Sequence, residues 1–134
     1  MNNAILVNAL RRAAAASGYT LRSADEDRLT PAGTGFPAAL LAPPVVHTAE
    51  GRRHGRIEYD VVLRLSDTGA DLPPDKRYER RQKIENDAIA IFASLSEDER
   101  IIAVERLTAT QLPLSASIHG ELAVTAKARV ITWF

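Results

Sequence analysis

The stretch "GRIEYDVVLRL", Gly55 to Leu65, constrains the fold of this chain more than any other. Ile57, Tyr59, Val61, Leu63 and Leu65 project to one side of an extended backbone. Arg56, Glu58, Asp60 and Arg64 project to the other, with Val62 the exception. Successive side chains of a strand point to opposite faces, so this pattern specifies a strand with one buried face and one wet face. A second alternating run, Ile118 to Phe134, closes the chain. Leu122, Val124, Ala126, Ala128, Val130 and Phe134 share one face, and only Thr132 breaks it; Thr125, Lys127, Arg129, Ile131 and Trp133 share the other. A strand needs neighbours to stay ordered, so this C-terminal strand is expected to be tied into the sheet or into another subunit.

The remaining elements fall between and before these runs. In "NNAILVNALRRAAAASG", Ile5, Leu6, Ala9, Leu10 and Ala13 recur at helical spacing, Asn2 or Asn3 can cap, and Ser17-Gly18 supplies a C-terminal stop. Tyr19 to Gly35 is polar and turn-rich, with an acidic knot at Asp25, Glu26 and Asp27. "FPAALLAPPVVHT" is extended, but prolines at 37, 43 and 44 donate no ladder hydrogen bond, so an interrupted or edge strand is expected. "AEGRRHG" then makes a hairpin connection of more than two residues. After "DTGADLPPD", a helix runs to about Leu95, capped by Asp71 or Asp75, with Pro73 or Pro74 in its first turn and a stripe of Ile84, Ala88, Ile91, Phe92 and Leu95. Ile101 to Leu112 is rich in β-branched residues and reads as a strand. The order α-β-β-α-β-β, with hairpin connections, predicts one α+β domain over residues 1–134. It is a two-layer sandwich, a mostly antiparallel sheet of four to five strands with two helices on one face.

Composition narrows the function classes. The 17 basic and 17 acidic residues cancel, which removes the simplest electrostatic argument for a nucleic-acid partner. Cysteine is absent, so disulfides, thiolate nucleophiles and thiolate metal sites are excluded. No apolar run approaches the roughly 18 residues of a membrane-spanning helix, and Arg11 and Arg12 interrupt the N-terminal apolar segment. A soluble protein with no membrane partner is expected.

Catalytic and metal-binding patterns are sparse. His47 and His54 flank the hairpin with Glu50 between them, and His119 is the only further imidazole; the spacing matches no standard zinc pattern. There is no GxxxxGK[ST], no GxGxxG and no G-x-S-x-G. Glu58 and Asp60 share one side of a strand, which is also its wet face. No enzyme activity, cofactor or metal is expected.

In this order, several segments together resemble the tail terminator (tail completion) proteins of long-tailed bacteriophages and related prophages. They are "ILVNALRRAAAA", "FPAALLA", the hairpin into "RIEYDVVLRL", the mid-chain helix and the closing "ELAVTAKARVITW". Related neck and minor tail proteins share the layout. The resemblance covers nearly the whole chain and implies a structural role: a hexameric ring that caps the tail tube, fixes tail length and joins the head. It implies as partners other copies of the chain, the tail-tube protein and a head-completion or connector protein. It also implies a place in the virion tail, with assembly in the bacterial host cytoplasm.

Within that expectation the basic residues carry the contacts. Arg52, Arg53, His54 and Arg56 lie in or beside the hairpin; Lys76, Arg77, Arg80, Arg81 and Lys83 lie in the first half of the second helix. Cations there oppose the helix dipole, so a partner outside the helix is expected unless they form a solvated face. They could pair across a subunit interface with Asp25–Asp27 and Glu97–Glu99, or contact DNA phosphates in a ring lumen. The alternative function is a small nucleic-acid-binding module using the 50–56 hairpin and helix 76–83. Aromatic residues for base stacking are scarce, at 5%, and are not interleaved with these arginines.

Overall fold

The computed structural model describes residues 2–23, 37–50, 55–69, 71–111 and 121–133. Helix α1 (Asn2–Ala16) is followed by strands β1 (Thr20–Ser23), β2 (Ala38–Leu41), β3 (Val45–Glu50) and β4 (Arg56–Thr68). Helix α2 (Pro74–Ser94), a 3-10 turn (Leu95–Glu97), β5 (Ile101–Gln111) and β6 (Glu121–Thr132) complete the order. One six-stranded sheet runs β1-β2-β4-β6-β5, with β3 also paired to β4. Both helices pack on one face, giving the expected α+β arrangement.

The centre of the sheet is the antiparallel pair β4–β6, in unbroken register from Ile57 opposite Thr132 to Thr68 opposite Glu121. Tyr59, Val61, Leu63 and Leu65 meet Val130, Ala128, Ala126 and Val124 on the helix face, and all eight are buried. The α2 stripe of Ile84, Ala88, Ile91 and Phe92 and the α1 stripe of Leu6, Ala9, Leu10 and Ala14 close over them. Thr132, the interruption on the apolar face, is buried and donates from Oγ1 to the Ile57 carbonyl at 2.9 Å, so its hydroxyl is satisfied rather than stranded. The C-terminal strand is thus tied into the middle of the sheet, between β4 and β5.

The extended proline-bearing segment is interrupted as expected. β2 pairs with Leu63–Ser66 of β4 and β3 with Arg56–Asp60, so the two form one broken line along the same side of β4. The break falls at Pro43-Pro44, which lack the N–H a ladder needs, and Ala42 N–H bridges it by donating to the Val62 carbonyl at 3.1 Å. This break and β1 bring the strand count to six. β1 lies within the segment read as polar turns; it pairs in parallel with β2, and only four residues with no alternation announce it.

Helix ends correct two expectations. Asn2 and Asn3 fall inside α1 rather than capping it. Neither Asp71 nor Asp75 caps α2: Pro73 holds the cap position without a side-chain bond, and Pro74 occupies the first helical turn. The C-terminal stop of α1 is as predicted. Gly18 adopts φ +90°, its N–H donates to the Ala15 carbonyl at 3.0 Å, and Tyr19 N–H donates to the Ala14 carbonyl at 2.9 Å, the two bonds of a Schellman motif. That turn delivers Tyr19 into the core, where its hydroxyl donates to Asp87 Oδ2 on α2 at 2.7 Å. Burial first, and then this bond, hold the phenol well above its ordinary pKa.

Candidate subunit interface

The basic half of α2 finds partners within its own chain. Arg80 reaches off the helix to Asp67 Oδ2 at 3.3 Å and the Thr68 carbonyl at 3.1 Å, at the end of β4. Lys76 lies 3.4 Å from Glu79, and Lys83 lies 2.8 Å from Asp87. Such exposed pairs are worth at most about 1 kcal/mol each, but they neutralise the charge that opposes the helix dipole. Arg77, Arg80 and Arg81 sit seven, four and three residues before Ile84, on the same stripe, so the inward face of α2 turns from apolar to guanidinium at its start. Arg81 Nε is buried there without a hydrogen-bond partner among the described residues.

Arg52, Arg53 and His54 lie outside the described residues, as do Asp25–Asp27 and His119. Arg56 opens β4 opposite Glu50, half-buried, at the sheet end that also holds Ile101 and Thr132. Arg80 lies at the opposite end, beside Asp67 and Thr68. The length of β4, thirteen residues at about 3.3 Å each, separates Arg56 from Arg80, so the structure does not bring these two into one patch. Asp98 is engaged at home as well. Its Oδ1 accepts the Arg100 backbone N–H at 2.9 Å, and its carboxylate lies 3.4 Å from both Arg100 Nε and Arg12 Nη2. The Arg100 N–H, then its side chain and Arg12, lower the Asp98 pKa against a smaller opposing effect of burial. Glu97 and Glu99 remain exposed.

The sheet face without helices carries a ladder of charge. His47 stands on β3 rather than on a loop, with Nδ1 3.4 Å from Asp60 and 3.3 Å from Arg129 Nη2. Arg129 Nε is 3.4 Å from Asp60, Thr48 donates to Glu58, and Arg64 meets the buried Glu121 at 2.9 Å. Glu58 and Asp60 therefore each have a partner and do not converge on a common point. Among the described residues, no three His, Asp or Glu side chains gather as metal ligands would, and no helix is long and apolar enough to cross a membrane.

What the sequence reading missed is apolar. Among the described residues, six large hydrophobic side chains are exposed: Val45 (61%), Val46 (52%), Tyr78 (62%), Ile89 (44%), Ile102 (48%) and Trp133 (41%). Val45 and Val46 belong to β3, whose outer edge pairs with no strand among the described residues. Ile102 belongs to β5, the opposite edge. Ile89 is four residues beyond Glu85, which accepts from Gln111 of β5, so it lies on the flank of α2 that overhangs β5. Adjacent Val-Val and Ile-Ile pairs, where alternation fails, are the signal that marks these positions in the sequence.

No protein family matches the chain, and no curated protein matches it in sequence. Among solved structures it is similar to a chain in the virion of a native gene transfer agent particle, with a TM-score of 0.52 at 16% identity. The match covers 98% of this chain and 94% of that one. At that identity the likeness shows the fold, which the two chains share from end to end.

Proposed function

We propose that this chain is a structural protein of a phage-type tail, of the tail-terminator kind, acting as a ring that caps the tail tube and joins it to the head. The observation that carries this reading is the end-to-end fold match to a chain of a gene transfer agent virion, in which neither chain has much left over. The segments that resemble tail terminators in sequence include both covering helices and the central strands β4 and β6. The role is architectural, with other copies, a tube protein and a head-side connector as partners, and it requires no catalysis or cofactor.

Exposed apolar residues on both edges of the sheet support self-association, since isolated monomers seldom leave such residues clustered at unpaired edges. The nucleic-acid-binding alternative draws less support. Lys76, Arg80 and Lys83 lie beside carboxylates of their own chain, and Arg56 and Arg80 stand at opposite sheet ends. Native mass measurement across a concentration series tests the reading. A closed species of one size, at a whole multiple of 14.6 kDa, is expected. A monomer throughout, with salt-dependent DNA binding that disappears when Arg52, Arg53 and Arg56 become alanine together, would favour the alternative instead.

A further inference from the structure

Helix α1 separates two hollows of opposite charge. Asn3, Val7 and Arg11 stand about one turn apart on the flank that meets β1 and β2. Ile5, two residues from both Asn3 and Val7 and so about half a turn away, looks toward the 3-10 turn and the end of β6. On the first flank, Val7, Leu21, Leu41 and Pro43 line a groove of about 260 Å3, to which Arg11 and Arg22 bring two guanidinium groups. Leu41 is buried, and Val7 and Leu21 are half-buried, so the floor is apolar. Pro43 and Pro44 fix their own φ, so that wall is preformed. Small-molecule pockets run from roughly 300 to 1,000 Å3, and this groove has room for a single large side chain instead. No carboxylate among the described residues pairs with Arg11, which donates to Asn8 Oδ1 at 3.2 Å.

The second hollow has the complementary make-up. Ile5, Glu97, Glu99 and Trp133 line it, beside the Asp98–Arg100 pair. Glu97 and Glu99 are exposed, and no cation among the described residues pairs with either. The Trp133 backbone is held, since its N–H donates to the Arg100 carbonyl at 2.7 Å, yet the residue stays exposed. An apolar side chain accompanied by carboxylates is what the groove selects. Of the exposed large hydrophobic residues, Trp133 is the one that shares a hollow with two such carboxylates. Val45, Val46, Ile89 and Ile102 have no carboxylate beside them in sequence, and Tyr78 stands among the helix cations.

We infer that the Trp133 corner of one copy seats in the α1–β1–β2 groove of the next. The indole packs on Val7, Leu21 and Pro43, and the carboxylates of Glu97 and Glu99 face Arg11 and Arg22. This rests on the ring reading and deepens it by naming the surfaces. Groove and corner are unlike and lie on opposite flanks of α1, so each copy offers one of them to each neighbour, as a head-to-tail contact requires. A buried aromatic anchor beside charged pairs is also where interfaces concentrate their energy. Pro44 leads directly into Val45, so the groove adjoins the exposed edge of β3.

Trp133 is the only tryptophan, so its fluorescence reads the seat directly. Over a concentration series, wild-type emission should move to the blue and lose most of its quenching by acrylamide as the protein assembles. Arg11→Glu and Glu99→Arg, both at exposed positions, should each weaken assembly about tenfold. The double variant restores opposite charges only between copies and should return assembly to near the wild-type level. Charge reversals without effect, or a double variant no better than the singles, would overturn the proposal. So would a closed ring of normal mass in which Trp133 stays as open to acrylamide as in the monomer; that result leaves the ring reading standing and the groove to a different occupant. Wild-type protein that stays monomeric at every concentration would remove both. A melting temperature for each variant close to that of the wild type assures that folding is not what is read.

Discussion

The centre and the edges of this sheet obey different rules. Between β4 and β6 the register never slips, the helix face is apolar from Tyr59 to Leu65 and from Leu122 to Val130, and a slip of one residue would expose every buried side chain at once. At β3 and β5 the register shifts, between Val46 and Thr48, between Ile101 and Ala103, and between Glu105 and Thr108. Large apolar residues there face water. The centre is built for stability; under the proposed ring the edges serve contact, so substitutions in the two regions should fail in different assays.

The largest expected effect is at the centre. Leu63, fully buried between β4's neighbours and the helices, should lose about 2–5 kcal/mol of stability on Leu63→Ala, measured by urea unfolding. Any loss of assembly should follow from unfolding. Next comes the α1–α2 link through Tyr19. Tyr19→Phe removes the donor to Asp87 and should cost about 1–2 kcal/mol. Because the folded phenol has a raised pKa, the stability it confers is present below the unfolded value of about 10 and is lost as pH rises above it. The Phe variant should therefore show a shallower alkaline decline in melting temperature.

Asp98 works in the opposite direction. Its folded pKa is lowered, so its contribution is present above the ordinary carboxylate value of about 4 and fades as pH falls through the folded value. Asp98→Ala should cost about 1 kcal/mol at neutral pH, and less in acid, by thermal melting at several pH values. A smaller effect of opposite sign is expected on the edge. Arg106 sits in the left-handed region opposite a bulge, where glycine is at ease, so Arg106→Gly should raise stability by up to about 1 kcal/mol. A destabilised glycine variant would mean that the Arg106 side chain makes a contact that outweighs the backbone strain.

The contrast between centre and edges also explains what could be read from the sequence. Alternation from Ile57 to Leu65 and from Leu122 to Val130 places both central strands, their buried faces and Thr132 as the lone interruption, because burial on one face imposes a period of two. The α2 stripe and the Gly18 stop are legible for similarly local reasons. β1 is not, since a four-residue strand owes its existence to β2 beside it and not to its own pattern. The candidate interface is legible only in part. Basic residues stand out in a sequence, yet Arg80, Lys76 and Lys83 turn out to serve nearby carboxylates. Val45, Val46 and Ile102 look like ordinary core residues, and only the sheet order reveals that they sit at its margins.

The smallest expected effect on stability carries the most weight for function. Val46→Asp replaces an exposed apolar residue on the outer edge of β3 and should change the melting temperature of the monomer by no more than about 2 °C. The measurement that tests the account most directly is native mass and melting temperature on one sample each of wild type and Val46→Asp. The account predicts a closed multiple of the 14.6 kDa chain for the wild type, and a folded monomer for the variant. A variant that assembles as the wild type does, or a wild type that stays monomeric at every concentration, would contradict it.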